Sequence, residues 1–253
     1  MNRGQGLKNP QIWMYHSVAE HVGPGDDPFE ITVTSARLAD HLRWLGARGL
    51  RGVSVRELLA APDPSRLVGL TFDDGYEDFA LLAVPLLRKH GCTATVYLVA
   101  GRIGQYNAWE SHGPVKPLMD MALIEQCAEA GMELGSHGLR HVRLSGQDPD
   151  RLTAEVAESR IALQRLTGQP IDGYCYAYGD LDERAVAAVR AAGYDYACAI
   201  RPGPHVGRHA LPRFYVGDRD NGPRLTAKRV RAGMRGRGVP TARYAAGQAD
   251  GRG

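Results

Sequence analysis

The sequence predicts an α/β protein built on parallel strands, with enough of them for a barrel rather than an open sheet. Segments with the patterns of strands and helices alternate six or seven times within about 200 residues, as repeated strand–helix units do. The predicted strand ends are unusually polar, which is typical of the active-site face of such barrels. These polar strand ends are His16, Asp73 with Asp74, Ser136 with His137, and Tyr178 with Gly179.

The strands are predicted from short apolar or β-branched runs between turn residues. Residues 67–72 have the length and composition of a buried strand, and residues 93–99 are rich in β-branched side chains. Similar runs predict the remaining strands at residues 11–16, 51–53, 132–136, 172–178, 194–200 and 211–216.

Helices are predicted between these strands from capping residues and apolar stripes. The clearest begins after Asp148, where Pro149 follows the cap, and ends at Gly168. Residues 101–117 show no periodicity, and a loop of that length is expected to be functional or disordered. The other helices are predicted at residues 35–48, 55–60, 79–89, 121–130 and 181–192.

The composition, with 43% hydrophobic and 23% charged residues in a chain of 253, is that of a soluble globular protein. We predict a flexible N-terminus at residues 1–9, one domain at residues 10–220, and a disordered or loosely docked tail at residues 221–253. The tail has eight basic residues and one acid, whereas the rest of the chain has 23 basic and 27 acidic residues. A basic tail suggests a nucleic-acid or acidic partner. The acidic body and the lack of a nucleic-acid motif disfavour that interpretation.

The location predicted from the sequence is the cytoplasm. The first 18 residues lack the apolar core of a secretory signal, and no run reaches the roughly 18 apolar residues of a membrane span. The four cysteines lack Cys-x-x-Cys spacing and lie in apolar contexts, which is typical of buried, reduced thiols. We therefore expect no membrane partner, and no pattern indicates an oligomeric state.

Two adjacent carboxylates, Asp73 and Asp74, follow the strand at residues 67–72 and precede Gly75. Neighbouring side chains at a strand end point in different directions, so one carboxylate could hold a metal while the other faces water or substrate. Aspartate and glycine are also ordinary turn residues. On their own, these residues predict a turn as readily as a site.

A pair of histidines, His137 and His141, favours the site. If residues 137–141 turn helically, both imidazoles lie on one face and can share a divalent ion. Two histidines and one carboxylate form a three-ligand set that leaves positions open for water and substrate. A histidine pair alone is more often a surface or core pair, but its coincidence with two carboxylates reverses that preference.

The sequence TFDDGY at residues 71–76, followed by SHGLRH at residues 136–141, resembles the polysaccharide deacetylase family (NodB homology, carbohydrate esterase family 4). The sequences MYHSV, YCYAYG and LPRFYV, which begin at Met14, Tyr174 and Leu211, resemble one branch of that family. The resemblance covers most of the chain. It implies a deformed (β/α)7-type barrel and metal-dependent removal of acetyl groups from N-acetylated amino sugars.

The resemblance also implies roles for individual residues. Asp74, His137 and His141 would hold one divalent metal ion, with zinc expected first and other first-row ions compatible with the same ligands. Asp73 would be the general base, and the backbone N–H at Tyr178 would help to hold the oxyanion. An N-acetylated amino sugar would be the substrate.

The chain departs from the family pattern where the general acid is expected. The family's Leu-x-His appears here as Leu211-Pro212-Arg213, so no histidine is assigned to protonate the leaving amine. We predict His16 for this role, because its strand end should face the same mouth. The alternatives are His205 and His209.

The family's Arg-x-Pro-Tyr appears here as Cys-Tyr-Ala-Tyr at residues 175–178, without the arginine that orients the base. Arg213 either takes over that role or is a solvated or structural arginine, and we also assign it to substrate binding. An aromatic such as Trp109 could stack on a sugar or simply pack the loop down. The long-loop residues expected at the mouth are Tyr106, Asn107, Trp109 and His112.

Three hypotheses follow for function. The first is an N-deacetylase acting on an intracellular glycan precursor or a glycosylated metabolite. The second keeps the metal but changes the bond, to a cyclic imide or a non-sugar amide. The third is a catalytically degenerate sugar-binding or regulatory protein, which the missing arginine and histidine would explain.

Overall fold

The computed structural model describes residues 10–109, 113–200 and 207–235, so His112 and His205 lie outside the described residues. The strands are β1 (Ile12–Tyr15), β2 (Ser17–Ala19), β3 (Thr32–Thr34), β4 (Arg51–Val53), β5 (Leu67–Phe72), β6 (Thr95–Leu98), β7 (Glu133–Ser136), β8 (Gly173–Cys175), β9 (Tyr196–Cys198) and β10 (Phe214–Tyr215). The helices are α1 (Ser35–Gly46), α2 (Val55–Ala60), α3 (Val84–Lys89), α4 (Met121–Glu129), α5 (Pro149–Thr153), α6 (Ser159–Thr167), α7 (Glu183–Ala191) and α8 (Gly222–Arg235).

The main sheet confirms the predicted parallel α/β barrel. Eight strands pair in parallel in the order β10-β1-β5-β6-β7-β8-β9, and β4 adds to the side of β5. β5 has β1 on one side, with Ile12 opposite Gly69, and β4 and β6 on the other. β2 and β3 form a separate parallel pair.

The sheet curls towards closure. A single parallel bridge joins Cys198, at the end of β9, to Leu211. The Leu211 N–H donates to the Ala197 carbonyl, and the Leu211 carbonyl accepts from the Ala199 N–H, both at 2.8 Å. The chain then continues into β10, which pairs with β1. The last strand in the described part of the chain thus returns to the first one described there.

The inside of the barrel is filled by aromatic rings that glycines accommodate. A Cβ atom at Gly135 would lie 2.5 Å from the Tyr97 ring, and one at Gly173 would lie 2.2 Å from the Tyr196 hydroxyl oxygen. That hydroxyl donates to the buried Glu133 carboxylate at 2.8 Å. Because Glu133 opens β7 at its amino end, the Tyr196 hydroxyl lies at the amino end of the barrel. Tyr97 instead packs beneath the polar strand ends, with its ring centroid 6.5 Å from that of His137.

Two segments differ from the prediction. The helix predicted across residues 149–167 is divided by a π-helical turn, Ala154–Glu158, between α5 and α6. Within the predicted tail, Gly222–Arg235 form α8. Asn221 caps that helix by accepting from the Arg224 N–H at 3.2 Å, and Leu225 is buried. The remaining tail residues, 236–253, lie outside the described part of the chain.

A buried histidine connects the first helix to the segment before α8. His41 on α1 receives the Tyr15 hydroxyl at Nδ1, at 3.1 Å, and donates from Nε2 to the Asp220 carbonyl at 2.6 Å. Burial disfavours the imidazolium and lowers the pKa of His41 from its ordinary value, although the Asp220 carbonyl opposes this shift. The neutral ring fits this donor–acceptor pattern, because a protonated ring would have no acceptor for the Tyr15 hydroxyl.

We expect the stability of the protein to fall as the pH falls through the ordinary pKa of histidine, about 6.5. The folded pKa of His41 is lowered, so the unfolded chain binds this proton more readily and the contribution of the neutral ring is complete only above that pH. His41→Gln should reduce this pH dependence in free energies of unfolding measured with urea between pH 5 and pH 8. His90→Gln, at the half-buried end of α3, is the matched control. Parallel curves for the wild type and His41→Gln would contradict the assignment.

Candidate active site

The carboxyl end of the barrel collects the polar side chains that follow its strands. His16 follows β1, Asp73 and Asp74 follow β5, and His137 follows β7. A short 3-10 turn, Ala177–Gly179, follows β8. Because all of these strands are parallel, their carboxyl ends lie on one face, and the structure brings the predicted residues together there.

Asp74, His137 and His141 form a buried cluster. Asp74 Oδ1 lies 3.3 Å from His137 Nε2 and 3.2 Å from His141 Nε2. The three potential ligand atoms lie within 4.8 Å of one another. Asp74 Oδ1 has no well-oriented hydrogen bond among the described residues, although it is buried. Buried carboxylate oxygens are normally hydrogen-bonded, so this arrangement fits a cation between the three atoms.

A second group, Asp73, His137 and Cys175, is equally compact. However, both Asp73 oxygens already accept hydrogen bonds from Arg213. Burial raises the pKa of the Cys175 thiol, which disfavours the thiolate that a metal requires. The Asp74 cluster is therefore the better metal site.

A hydrogen bond to the Cys175 backbone fixes the orientation of the His137 ring. Its Nδ1 lies 2.8 Å from the Cys175 carbonyl oxygen, which can only accept, so Nδ1–H donates and Nε2 faces Asp74. Metal-ligating histidines usually have such a partner on the second ring nitrogen. The orientation is thus the one that a ligand needs.

The two histidines do not converge through the helical turn considered for residues 137–141. Residues 137–141 contain no helical turn. The backbone instead reverses, with a φ of 86° at Gly138 and 60° at His141. A tight turn therefore brings the second imidazole back to the first.

Three site residues have left-handed backbone conformations. The φ angles of Asp74, His141 and Tyr178 are 74°, 60° and 59°, and Glu30 is the only other described non-glycine residue with a positive φ. Each costs about 1–2 kcal/mol relative to a right-handed residue. Such strain is characteristic of functional sites, where the surrounding structure imposes it.

We expect Tyr178→Gly to be more stable than Tyr178→Ala by about 1 kcal/mol, because both variants lose the ring and only glycine relieves the positive φ. Urea unfolding of both variants measures the difference. Tyr106 is exposed and has no positive φ, so Tyr106→Gly and Tyr106→Ala should show the opposite order. Equal stability of the two Tyr178 variants would contradict backbone strain at this position.

Arg213 pairs with Asp73 across the site. Arg213 Nη1 donates to Asp73 Oδ1 at 2.6 Å, and Nη2 donates to Oδ2 at 2.8 Å. Further bonds to Thr71 Oγ1 and the Ala199 carbonyl hold the guanidinium in place. The Arg213 side chain is completely buried. The structure thus corrects its assignment to substrate binding and favours the alternative, an arginine that orients the carboxylate.

Both carboxylates are held in the ionised form. Burial alone would raise the pKa of Asp73, but the charge and hydrogen bonds of Arg213 bring it below its ordinary value. Burial would likewise raise the pKa of Asp74, whereas His137 and His141 bring it well below its ordinary value. Burial also lowers the pKa of His141, which favours the neutral imidazole that a metal ligand must be.

His16 lies next to Asp73, the predicted base. Its Nε2 is 3.8 Å from Asp73 Oδ2, and the side chain is 17% exposed, so it can be reached from the mouth. The alternative His209 instead uses its Nε2 to bond the Tyr194 carbonyl at 2.8 Å. The geometry favours His16 of these two.

Aromatic rings surround His141. Trp109 stacks on its imidazole at 4.3 Å between centroids, and Tyr178 meets it edge-on at 4.6 Å. The Arg143 guanidinium lies 4.5 Å from the centre of the Tyr178 ring. Trp109 thus packs the long loop against His141, while Tyr106 on the same loop is 57% exposed.

Glu155, a buried carboxylate in the π-helical turn behind the histidines, was not predicted from the sequence. It accepts hydrogen bonds from the backbone of Leu139 and Arg140, between the two histidines. A signal was present, because Glu155 lies beside Leu152 and Val156, within the apolar stripe of its helix. A carboxylate on the buried side of a helix requires partners.

The protein has a curled parallel barrel, and aspartate and histidine side chains lie at the carboxyl ends of its strands. This architecture is that of the NodB-like (β/α)-barrel proteins. The sequence model of the family described as "Polysaccharide deacetylase" matches residues 60–197, which is more than half of the chain. The chain belongs to the polysaccharide deacetylase family, whose members are enzymes acting on carbohydrate.

Relatives agree with this assignment. YxkH of Bacillus subtilis (strain 168), classed by name with the polysaccharide deacetylases, is 28% identical over 213 residues, covering 81% of this chain and 70% of that protein. The poly-β-1,6-N-acetyl-D-glucosamine N-deacetylase of Staphylococcus epidermidis is 21% identical over 201 residues, covering 73% of this chain and 68% of that protein.

Solved structures share the fold. The Streptococcus pyogenes deacetylase PplD in complex with acetate superposes with a TM-score of 0.73 at 21% identity, covering 86% of this chain and 96% of that chain. IcaB from Ammonifex degensii gives a TM-score of 0.70 at 21% identity, covering 87% and 96%. In the described part of this chain, none of the helices is long and apolar enough to cross a membrane.

Proposed function

We propose that the protein is a metal-dependent N-deacetylase that releases acetate from an N-acetylated amino sugar. One observation carries the proposal. A buried Asp74–His137–His141 cluster lies next to a second carboxylate, Asp73, that Arg213 holds ionised. Metal-assisted amide hydrolysis requires this combination of a cation site and an adjacent base.

The cluster fits one divalent cation. Asp74 Oδ1 lacks a well-oriented bond, the Nε2 atom of His137 is directed towards it, and burial favours the neutral form of His141. Two imidazoles and one carboxylate with open positions suit zinc and also accept other first-row ions. When bound, such an ion acidifies water and polarises a carbonyl oxygen.

Asp73 is proposed as the general base. The two Arg213 bonds fix both of its oxygens, and the same guanidinium keeps it ionised, so it can accept the proton of the attacking water. Arg213 acts through Asp73 and is therefore a positioning residue. It supplies from the β10 side of the barrel the arginine that residues 175–178 lack.

His16 is proposed as the general acid that protonates the leaving amine. It lies next to Asp73 and is partly exposed, so one face of the ring can meet a substrate. The backbone N–H at Tyr178 is proposed to donate to the developing oxyanion, where each donor contributes about 3 kcal/mol. The strained conformation of Tyr178 supports this role, because it aims a backbone group that a relaxed turn would direct elsewhere.

The relatives' names suggest a substrate containing N-acetylglucosamine, because one of them acts on poly-β-1,6-N-acetyl-D-glucosamine. The proposed substrate is thus an N-acetylglucosamine-containing saccharide or metabolite. Exposed Tyr106 and half-buried Trp109 are proposed to line its path. The cytoplasmic location remains a prediction that cell fractionation would test.

Acetate release from a panel of N-acetylated amino sugars, N-acetylglucosamine oligomers included, tests the proposal. We expect turnover that a chelator abolishes and added Zn²⁺ or another divalent ion restores. A parallel assay of cyclic imide ring opening distinguishes the second hypothesis. Tight metal binding without turnover on any acetylated substrate would instead support a degenerate binding protein.

A further inference from the structure

Glu155 lies behind the turn that joins the two proposed ligand histidines. Its side chain is 3% exposed. Oε2 accepts the backbone N–H groups of Leu139 and Arg140 at 3.0 and 2.9 Å, and Oε1 accepts from Arg140 Nη1 at 2.9 Å. One carboxylate therefore binds two consecutive amides of the three residues that separate His137 from His141.

The turn is shaped to admit this carboxylate. Gly138 has a φ of 86°, and a Cβ atom there would lie 3.4 Å from Glu155 Oε2 and 3.3 Å from the Tyr174 hydroxyl oxygen. The Gly138 N–H donates in turn to Ser136 Oγ at 3.2 Å. All three amides between the histidines thus have side-chain acceptors in place of helical partners.

The π-helical turn brings the acceptor to this position. Glu155 belongs to the π-helical turn Ala154–Glu158, and Ser159 directly after it receives the Ser136 hydroxyl at 2.9 Å. Glu155 and Ser159 thus contact the turn and the end of β7, respectively, from one helix face. π-Helical turns frequently occur at functional sites because they redirect side chains in this way.

A buried carboxylate is costly unless hydrogen bonds satisfy it, and bonds to a charged acceptor are about twice as strong as neutral ones. Three donors satisfy Glu155, and in return it fixes the backbone that sets the separation of the two imidazoles. The left-handed His141 adjoins this backbone and has to be held against its strain.

We infer that Glu155 is a positioning residue of the metal site, which holds the 138–140 turn so that His137 and His141 converge on Asp74. The inference rests on the proposed metal-dependent function. Loss of the carboxylate would free the turn to relax, and the two Nε2 atoms would separate. Partners outside the ligand set typically change metal affinity 10- to 100-fold.

Glu155→Gln tests the inference, with Glu158→Gln as the matched control on the exposed face of the same helical turn. Zn²⁺ affinity is measured by competition with a chromophoric chelator, at a temperature where circular dichroism shows each variant folded. We expect Glu155→Gln to bind Zn²⁺ about tenfold or more weakly than the wild type, and Glu158→Gln to bind within twofold of it. The Co²⁺-loaded wild type and Glu155→Gln should also differ in their visible absorption bands.

A second readout does not require metal. In the metal-free protein, hydrogen exchange at Leu139 and Arg140 should accelerate in Glu155→Gln and not in Glu158→Gln. If Glu155→Gln does not fold, Glu155→Asp, which keeps the charge but shortens the reach, carries the same comparison. Zn²⁺ affinity and exchange equal to the wild type would overturn the inference and leave the proposed function intact. A wild type that binds no divalent ion would overturn both.

Discussion

Asp74→Asn is expected to reduce acetate release at least about a thousandfold and to abolish tight binding of divalent ions. The substitution keeps the shape of the side chain and removes the only negative ligand of the cluster with His137 and His141. A catalytic metal contributes several kcal/mol of charge stabilisation, and about 4 kcal/mol corresponds to a thousandfold in rate. Steady-state acetate release and Zn²⁺ titration measure the two effects.

The same substitution is expected to destabilise the metal-free protein. The two histidines hold the pKa of Asp74 well below its ordinary value, so the ionised carboxylate contributes to the stability of the folded chain, and a neutral amide removes that contribution. Thermal unfolding of the metal-free variant should therefore occur at a lower temperature than that of the wild type. Asp63→Asn, in the exposed loop before β5, is the control and should leave rate and affinity unchanged. Wild-type turnover by Asp74→Asn with metal removed would refute the metal site.

Arg213→Met is expected to lower the free energy of unfolding by about 3–5 kcal/mol and to lower kcat at least about a hundredfold. Removing one partner of a buried ion pair leaves the other charge uncompensated, and Asp73 is buried beneath the mouth. The base would then be disfavoured as a carboxylate and released from its two hydrogen bonds, and general bases contribute roughly 10²–10⁴ in rate. Urea unfolding and kcat measure the two effects.

A double variant separates pairing from packing. In Asp73→Asn/Arg213→Met no buried charge is left at the pair, so its stability should exceed that of Arg213→Met alone. Arg208→Met, at an exposed arginine of the same segment, should have a small effect. Arg213→Met is compared in the wild type and in the Asp73→Asn variant. If it lowers the free energy of unfolding equally in both, Arg213 acts through packing and not through its charge.

The sequence was sufficient to predict the secondary-structure elements that local residue patterns determine. The buried strand predicted at residues 67–72 is β5, and the cap predicted at Asp148 accepts the Arg151 N–H in the first turn of α5. The π-helical turn at Ala154–Glu158 was not predictable, because an apolar stripe does not reveal a change of helical pitch that long-range contacts impose. α8 was missed despite the signal of Asn221 as a cap, because docking through Leu225 depends on distant residues.

The site residues could likewise be predicted from the sequence, whereas their arrangement in space could not. Asp73, Asp74, His137 and His141 could be selected because metal chemistry requires those residue types at those strand ends. The reason for their convergence could not be predicted, since it depends on a left-handed turn held by Glu155 from a different helix. The position of Arg213 beneath Asp73 was one alternative among several, because pairing across 140 residues leaves no local pattern.

The return of β10 to β1 has a consequence for biosynthesis. Asp73 leaves the ribosome 140 residues before Arg213, an interval of roughly 7–28 seconds at 5–20 residues per second. Throughout that time a nascent chain contains the carboxylate without its counter-charge, and β1 lacks one of its two neighbours. The proposed base therefore gains its counter-charge only after residue 213 has been synthesised, and an incomplete chain that stalls before residue 213 is expected to be inactive.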